Sequence, residues 1–320
     1  MFSIDHYNAA HNSAVLIDRS SAGTIALTGG DRASFLHALL TNDIAVLAAG
    51  RGIYAAYLTP QGRMISDMRV IETGPRMLLS VERDFAAPLA ERFDKLIFSE
   101  DVQVNDVTND PAAIGVHGPS AARMIQSATG IPVHDLANQY DNITSGPVTI
   151  VRDDALGLPG YDVYVPADTV DVMRGKLLEA GAVSASEETG ETLRIEASRP
   201  RFGIDMNTDT IPLEAGIESR AISFTKGCYV GQEVIIRVMH RGHGRVARRL
   251  VSIVFTNGTV PARGSKIQLG DRVVGEITSA TTSPRLGAPL ALGYVQRDHA
   301  AAGTEVSVDG SQARVYQAVN

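Results

Sequence analysis

From Thr24 to Thr28 the chain reads as a short strand. Gly29-Gly30 break it before Asp31, a residue suited to N-cap a helix with Phe35, Leu36, Leu39 and Leu40 on one face. That helix is expected to stop around Thr41-Asn42-Asp43. The apolar stretches Tyr54 to Thr59 and Met64 to Ile71 flank the turn Pro60-Gln61-Gly62-Arg63 and predict a β-hairpin. A strand over Arg76 to Val81 and a helix over Phe85 to Ile97 follow, the helix marked by Leu89, Phe93 and Leu96 or Ile97 at helical spacing.

The pattern then partly repeats: strand-like Ala113 to Val116, a helix over Ser120 to Ser127, strands near Val148 to Val151 and Tyr161 to Val165, and a helix over Asp168 to Ala180. A further helix, about Glu187 to Ala197, leads into the loop-rich stretch Pro200 to Thr225. Strands and helices that do not alternate regularly predict an α+β fold rather than a parallel doubly wound sheet. After about Val246 the rhythm changes. Strand-like pieces at Arg249 to Phe255, Lys266 to Leu269, Arg272 to Ser279, Ala291 to Tyr294 and Thr304 to Val308 are separated by Gly and Pro turns, which predicts a small antiparallel barrel. Two regions are therefore expected, 1–245 and 246–320.

At 320 residues there is enough chain for two or three domains with substantial cores. The formal charge of −7 argues against a broad nucleic-acid-binding surface. The arginines are scattered, apart from a local group at Arg237, Arg241, Arg245, Arg248 and Arg249 that could meet a phosphate, a polyglutamyl tail or an acidic partner. With one cysteine the chain can form no internal disulfide and no complete cysteine cage for an iron–sulfur cluster. The first residues resemble neither a secretory signal nor an Arg-rich transit peptide, and no apolar run approaches the ~20 residues of a membrane helix. A cytoplasmic protein without membrane contact is expected.

That cysteine sits in Lys226-Gly227-Cys228-Tyr229-Val230-Gly231-Gln232-Glu233, beside one of only four lysines. A lone cysteine is ordinarily a small buried hydrophobe. Here the neighbours Gly, Tyr, Gln and Glu are not those of a core strand, and a cation two residues away favours the thiolate, the nucleophilic and metal-binding form. His240 and His243 have a His-x-x-His spacing, but no Cys, Asp or Glu pair joins them at a convincing distance in sequence, so no zinc site is expected.

The octapeptide resembles the signature of the YgfZ family of folate-binding proteins, within the superfamily of the glycine-cleavage T-protein, the aminomethyltransferase. The resemblance extends to Gly29-Gly30-Asp31-Arg32, Thr41-Asn42-Asp43, Leu58-Thr59-Pro60-Gln61-Gly62-Arg63, Arg194-Ile195-Glu196-Ala197, Pro212-Leu213-Glu214-Ala215, Gly275-Glu276-Ile277-Thr278-Ser279, Ser283-Pro284 and Ala291-Leu292-Gly293-Tyr294-Val295. It implies a cloverleaf of two interleaved α+β lobes and a C-terminal antiparallel β-barrel around a folate channel, with tetrahydrofolate or a derivative as cofactor.

Site residues follow from the same resemblance. Glu196 matches the glutamate that holds the pterin, whose donor pair two carboxylate oxygens can accept. Asp67 falls where the T-protein carries two successive aspartates, one essential to aminomethyl transfer; Ser66 occupies the first position here, and which aspartate Asp67 matches stays open. Tyr161, in Gly160-Tyr161-Asp162, is a channel candidate, although a core tyrosine is the ordinary reading. The chain has no tryptophan, which some YgfZ relatives use to line the pocket, so Tyr54 and Tyr229 are candidates for stacking.

The leading expectation is a folate-binding accessory protein that supports assembly or repair of iron–sulfur clusters in client enzymes, including tRNA-modifying ones, without binding RNA itself. Its partners would be those iron–sulfur enzymes or cluster carriers. Cys228 would be the working thiol, Lys226 its activator, Gly227 and Gly231 the shapers of the loop, and Gln232 and Glu233 its hydrogen-bonding supports. The alternative is a folate-dependent aminomethyl- or methyltransferase with Asp67 as acid or base. A passive binder with a buried Cys228 is a third reading.

Overall fold

In the computed structural model, which describes residues 2–241, 244–256 and 258–319, the chain begins with α1 (Ile4–Asn12), β1 (Val15–Asp18), β2 (Ala22–Thr28), α2 (Arg32–Leu39), β3 (Arg51–Leu58), β4 (Met64–Glu72), β5 (Met77–Glu82), α3 (Arg83–Asp94) and β6 (Gln103–Asp106). There follow β7 (Ala112–His117), α4 (Ala121–Thr129), β8 (Asn142–Ser145), β9 (Val148–Arg152), β10 (Gly160–Val165), α5 (Val170–Glu179), β11 (Val183–Ser184) and α6 (Glu187–Glu196). Two short helices, α7 (Glu218–Ala221) and α8 (Gln232–Ile236), precede β12 (Arg248–Phe255), β13 (Lys266–Leu269), β14 (Arg272–Ser283), β15 (Ala288–Gln296), β16 (Glu305–Val308) and β17 (Ser311–Ala318). The α+β class and the C-terminal antiparallel barrel expected from the sequence are both present.

Two compact units divide the chain, and neither is continuous. The first takes Met1–Ala55, Asp67–Gly190 and Ser223–Gly227; the second takes Ala56–Ser66, Glu191–Ile222 and Cys228–Asn320.

In the first unit the strand order β3-β4-β5-β2-β6 forms one sheet and β11-β1-β7-β10-β9-β8 another, antiparallel apart from the β1–β11 pair. Period-two alternation along β10 sorts its side chains. Tyr161, Val163 and Val165 point into a core with Met124 and Ile125 of α4 and Met173 and Leu177 of α5. Tyr164 instead joins Ala26, Ile71, Leu78, Tyr140 and Val151, an apolar layer built from both sheets. In the polar part of that layer Arg69 of β4 donates to Asp153, to Asp162 of β10 at 2.6 Å and to Ser80 of β5 at 2.6 Å. Burial alone would push the Asp162 carboxyl up, but the guanidinium groups of Arg19 and Arg69 hold it at about 2.

Asp31 departs from its expected capping role. It precedes α2 without capping through its side chain, and its carboxylate accepts the Asp101 backbone N–H at 2.9 Å instead.

In the second unit β12-β15-β14-β13-β16-β17 close into a barrel filled by Val251, Ile253, Ile267, Ile277, Val295, Val315 and their neighbours. β14 contains a bulge at Thr278, since Ile277 pairs with Gly293 and Ser279 with the next partner, Leu292. The extra residue turns two consecutive hydroxyls onto one carboxylate: Thr278 and Ser279 donate to Asp205 Oδ1 at 2.5 and 2.6 Å.

Candidate functional site

The carboxylate of Asp67 on β4 accepts a 2.5 Å hydrogen bond from the Tyr54 hydroxyl on the neighbouring strand β3. Both side chains are half-buried. The backbone under Tyr54 is itself tied down: Asn42 donates its amide to the Tyr54 carbonyl at 2.9 Å. Thus the Thr41-Asn42-Asp43 segment, which ends the α2 region as the sequence implied, supports the strand that presents the phenol. Ser66, one residue before Asp67, is buried.

Lys226 reaches back to the same place. Its ammonium donates to the His37 carbonyl, to Leu40 at 2.7 Å and to Asn42 at 3.2 Å. These are the orphan carbonyls at the C-terminal end of α2, where a cation is favoured. Burial draws the amine down to about 8, with the Asp43 carboxylate opposing. The contacts define a long-range helix cap, a job distinct from the thiol activation expected for this lysine.

Within the second unit the motif from Cys228 onward is set by backbone packing. Gly231 has φ +85°, and a Cβ there would lie 2.5 Å from the Thr59 carbonyl. Only glycine fits that turn without strain. Gly62, in the Pro60–Arg63 turn, has φ +74° and would bring a Cβ 3.0 Å from Val234. The two turns therefore pack backbone to backbone. Gly227 has open space around it and no positive φ, so it is not required to be glycine for steric reasons. Cys228 is exposed. Tyr229 is buried, its hydroxyl pushed up to about 12 by that burial. Gln232 and Glu233 open α8; Gln232 is partly buried and Glu233 points into solvent.

Glu196, the last residue of α6, is only 6% exposed. One oxygen, Oε1, accepts from the Ser283 hydroxyl and from the Arg285 backbone N–H at 3.2 Å, while the Arg285 guanidinium donates to the Glu196 carbonyl at 3.0 Å. Two residues earlier Arg194 donates to Asp205 at 2.7 Å, to Ser279 at 2.8 Å and to Glu191 at 2.6 Å. Between them Ile195 packs with Leu250, Leu290, Leu292, Tyr294 and Val319. The segment Arg194-Ile195-Glu196 is thus fixed to the barrel by a polar, an apolar and a polar anchor in turn. Ser283 and Arg285 were absent from the residues expected at the site. Ser283-Pro284 stood among the quoted segments, but nothing in one dimension pairs it with Glu196.

Tyr161 is placed by the parity of β10. Its ring is 3% exposed and belongs to the core beneath α4 and α5, because odd positions of β10 face that layer. Arg152 lies 5.8 Å from the ring centroid. The position is that of a core tyrosine, the ordinary reading of the residue.

Among the described residues no group of three or more His, Cys, Asp or Glu side chains could hold a metal ion, and no helix is long and apolar enough to cross a membrane. His243 lies outside the described residues, so the His240–His243 pair is not defined.

An α+β chain that ends in a closed barrel is shared with a solved protein. The glycine cleavage system aminomethyltransferase T of Bartonella henselae has the same fold, with a TM-score of 0.89 at 22% identity, over 98% of this chain and 88% of that one. Residues 2–226 match the GCVT N-terminal domain, and residues 248–319 match the glycine cleavage T-protein C-terminal barrel domain. The chain belongs to the glycine cleavage T-protein family. Similar proteins include the aminomethyltransferase of Streptomyces avermitilis, 31% identical over 316 residues and covering 95% of this chain and 84% of that protein. The aminomethyltransferase of Bacillus subtilis is 27% identical over 317 residues, covering 95% of this chain and 85% of its own.

Proposed function

We propose that this chain binds tetrahydrofolate or a derivative and acts as a folate-dependent one-carbon transferase of the aminomethyl or methyl type. The observation that carries the reading is the Tyr54–Asp67 pair. A half-buried carboxylate held at 2.5 Å by a phenol is fixed in place, so it can accept and return a proton without reorienting. Tyr54 positions Asp67, and Asn42 positions Tyr54. The aminomethyltransferases among its relatives support the same assignment.

Glu196 is the acceptor for the donor edge of the pterin. The Ser283 and Arg285 bonds to Oε1 fix the orientation of that carboxylate. The chemistry that folate supplies is the carriage of the one-carbon unit; the protein supplies a proton site and a rigid acceptor.

The test is tetrahydrofolate titration together with transfer from an aminomethyl donor. Asp67→Asn is expected to lower turnover by about 100-fold or more, the range of a lost acid–base group, with folate affinity nearly unchanged. Glu196→Gln is expected to weaken folate binding about tenfold, the loss of about 1.4 kcal/mol. Full turnover in Asp67→Asn would remove the transferase reading.

A second reading is favoured by one observation, the exposed Cys228 thiol on a loop that Gly231 holds against the Thr59–Gly62 turn. In that reading the chain is a YgfZ-type factor that uses folate and Cys228 to assemble or repair iron–sulfur clusters in client enzymes, tRNA-modifying ones included. Complementation of cells lacking their own YgfZ protein separates the two. Rescue that depends on Cys228 and survives Asp67→Asn supports the factor, and the opposite pattern supports the transferase.

A further inference from the structure

A cavity of about 290 Å³ lies wholly within the first unit and does not include the Tyr54–Asp67 pair. Its wall is made by the β1–β2 turn, the start of α3, the loop before β7 and one face of α5. Three arginines line it: Arg19, Arg83 and Arg174. Arg83 is half committed, donating to the Ser20 carbonyl at 3.2 Å and to Asn109 Oδ1 at 2.7 Å. Arg19 lies with Nε 3.4 Å from the buried Asp162 carboxylate, its side chain a quarter exposed. Arg174 is partly buried and has no hydrogen-bond or ion-pair partner among the described residues.

The charge count favours an anion. Asp153 and Asp162 balance Arg19 and Arg69 behind the cavity wall, and burial draws the nearby His117 down toward its neutral form. Among the residues that line the cavity, Asp18 is the one carboxylate beside Arg83 and Arg174, and it is turned to the Ser20 backbone N–H at 2.7 Å. A net positive, partly enclosed cavity remains. The Thr108 hydroxyl accepts from the Thr24 backbone at 3.1 Å and so keeps its own proton to donate. A planar guanidinium offers paired donors that match phosphate and carboxylate oxygens, and an unpaired one in a concave site is an anion receptor. At roughly 30 Å³ per water the cavity holds about ten water-sized groups, too many for a lone inorganic ion.

We propose that this cavity is a binding site for a compact organic or phosphoric polyanion, with Arg174 as the free receptor and Arg83 and Arg19 beside it. The site is separate from the folate reading and stands whether or not that reading does. Its chemistry is shared by phosphate-bearing and tricarboxylate metabolites.

The experiment is isothermal titration of the full-length protein with pyrophosphate and, separately, with citrate, at fixed ionic strength. Saturable one-to-one binding of at least one probe is expected. Arg174→Gln should weaken it about tenfold or more, while Lys176→Gln, the same charge change on the exposed side of α5, should leave it within about twofold. Preference for pyrophosphate assigns the ligand to the phosphate class and preference for citrate to the carboxylate class. Absence of saturable binding with both probes, or equal losses in Arg174→Gln and Lys176→Gln, overturns the proposal.

Discussion

Replacing Arg69 by Met removes the cation that joins the two sheets of the first unit while retaining most of the aliphatic volume. Arg69 is 11% exposed at its side chain and faces Asp153 and Asp162, which are 2% and 0% exposed. The size of the effect can be bounded from one carboxylate. Asp162 is held at about 2 against an ordinary 3.8, which at about 1.4 kcal/mol per pH unit corresponds to a net of about 2 kcal/mol that Arg19 and Arg69 supply beyond the cost of burial. Asp153 and the Ser80 hydroxyl lose a partner as well, so a total of about 3 kcal/mol is expected, at the lower end for a broken buried pair.

The pH dependence has a defined sign. A carboxyl depressed in the folded state stabilises it above about pH 4 and loses that contribution as pH falls toward 2. His117, held neutral by burial, acts in the same direction, because the unfolded chain takes up its proton first as pH falls below about 6.5. Arg69→Met should therefore lose about 3 kcal/mol at pH 7 and show a shallower acid dependence than wild type, because part of the carboxylate contribution is already gone. Urea unfolding followed by ellipticity is the assay, since the chain has no tryptophan, with amide exchange of β4 and β10 to assign the loss to the first unit. A loss below about 1 kcal/mol at pH 7, or an unchanged acid slope, refutes the argument.

Other outcomes follow from named contacts. Gly231→Ala should cost about 2–3 kcal/mol, from a positive φ and a 2.5 Å approach to Thr59, whereas Gly227→Ala should be close to neutral; thermal unfolding of the pair checks both. Ser283→Ala removes a donor from a buried carboxylate and should cost about 1–3 kcal/mol, with looser folate binding measured by titration. Lys226→Met strips the α2 carbonyls and should raise amide exchange at the end of α2 while leaving the alkylation rate of Cys228 within about twofold, a result opposite to that expected of a thiol activator.

Local pattern carried much of the architecture. The strands of the barrel were legible because Gly and Pro turns punctuate short apolar runs, although β17 was missed: only Ala313 and Val315 face inward within Ser311–Ala318, and the polar positions between them hide the alternation. α1 was missed for the matching reason, with only Tyr7 and Ala10 buried along it. β11 has two exposed residues and exists through its pairing with β1.

Site roles were less legible wherever they depend on distant partners. Lys226 adjoins the thiol in sequence, yet its ammonium is bound 184 to 189 positions away. Glu196 was visible by resemblance, but its Ser283 clamp, 87 positions on, was not. Tyr161 was a channel candidate by resemblance, with a core tyrosine as the ordinary reading; the parity of β10, set by Val163 and Val165, puts it in the core.

The Lys226 cap also sets a schedule for synthesis. Leu40 and the lysine that binds its carbonyl are separated by 186 positions. At about 5–20 residues per second the ribosome takes roughly 10–40 s to cover that interval. During this time α2 has emerged with its last carbonyls open to water or to a chaperone, and so has the Asn42 segment that supports Tyr54. A nascent chain arrested before residue 226 lacks the lysine and should therefore carry the Tyr54–Asp67 strands with the α2 end beside them unlatched.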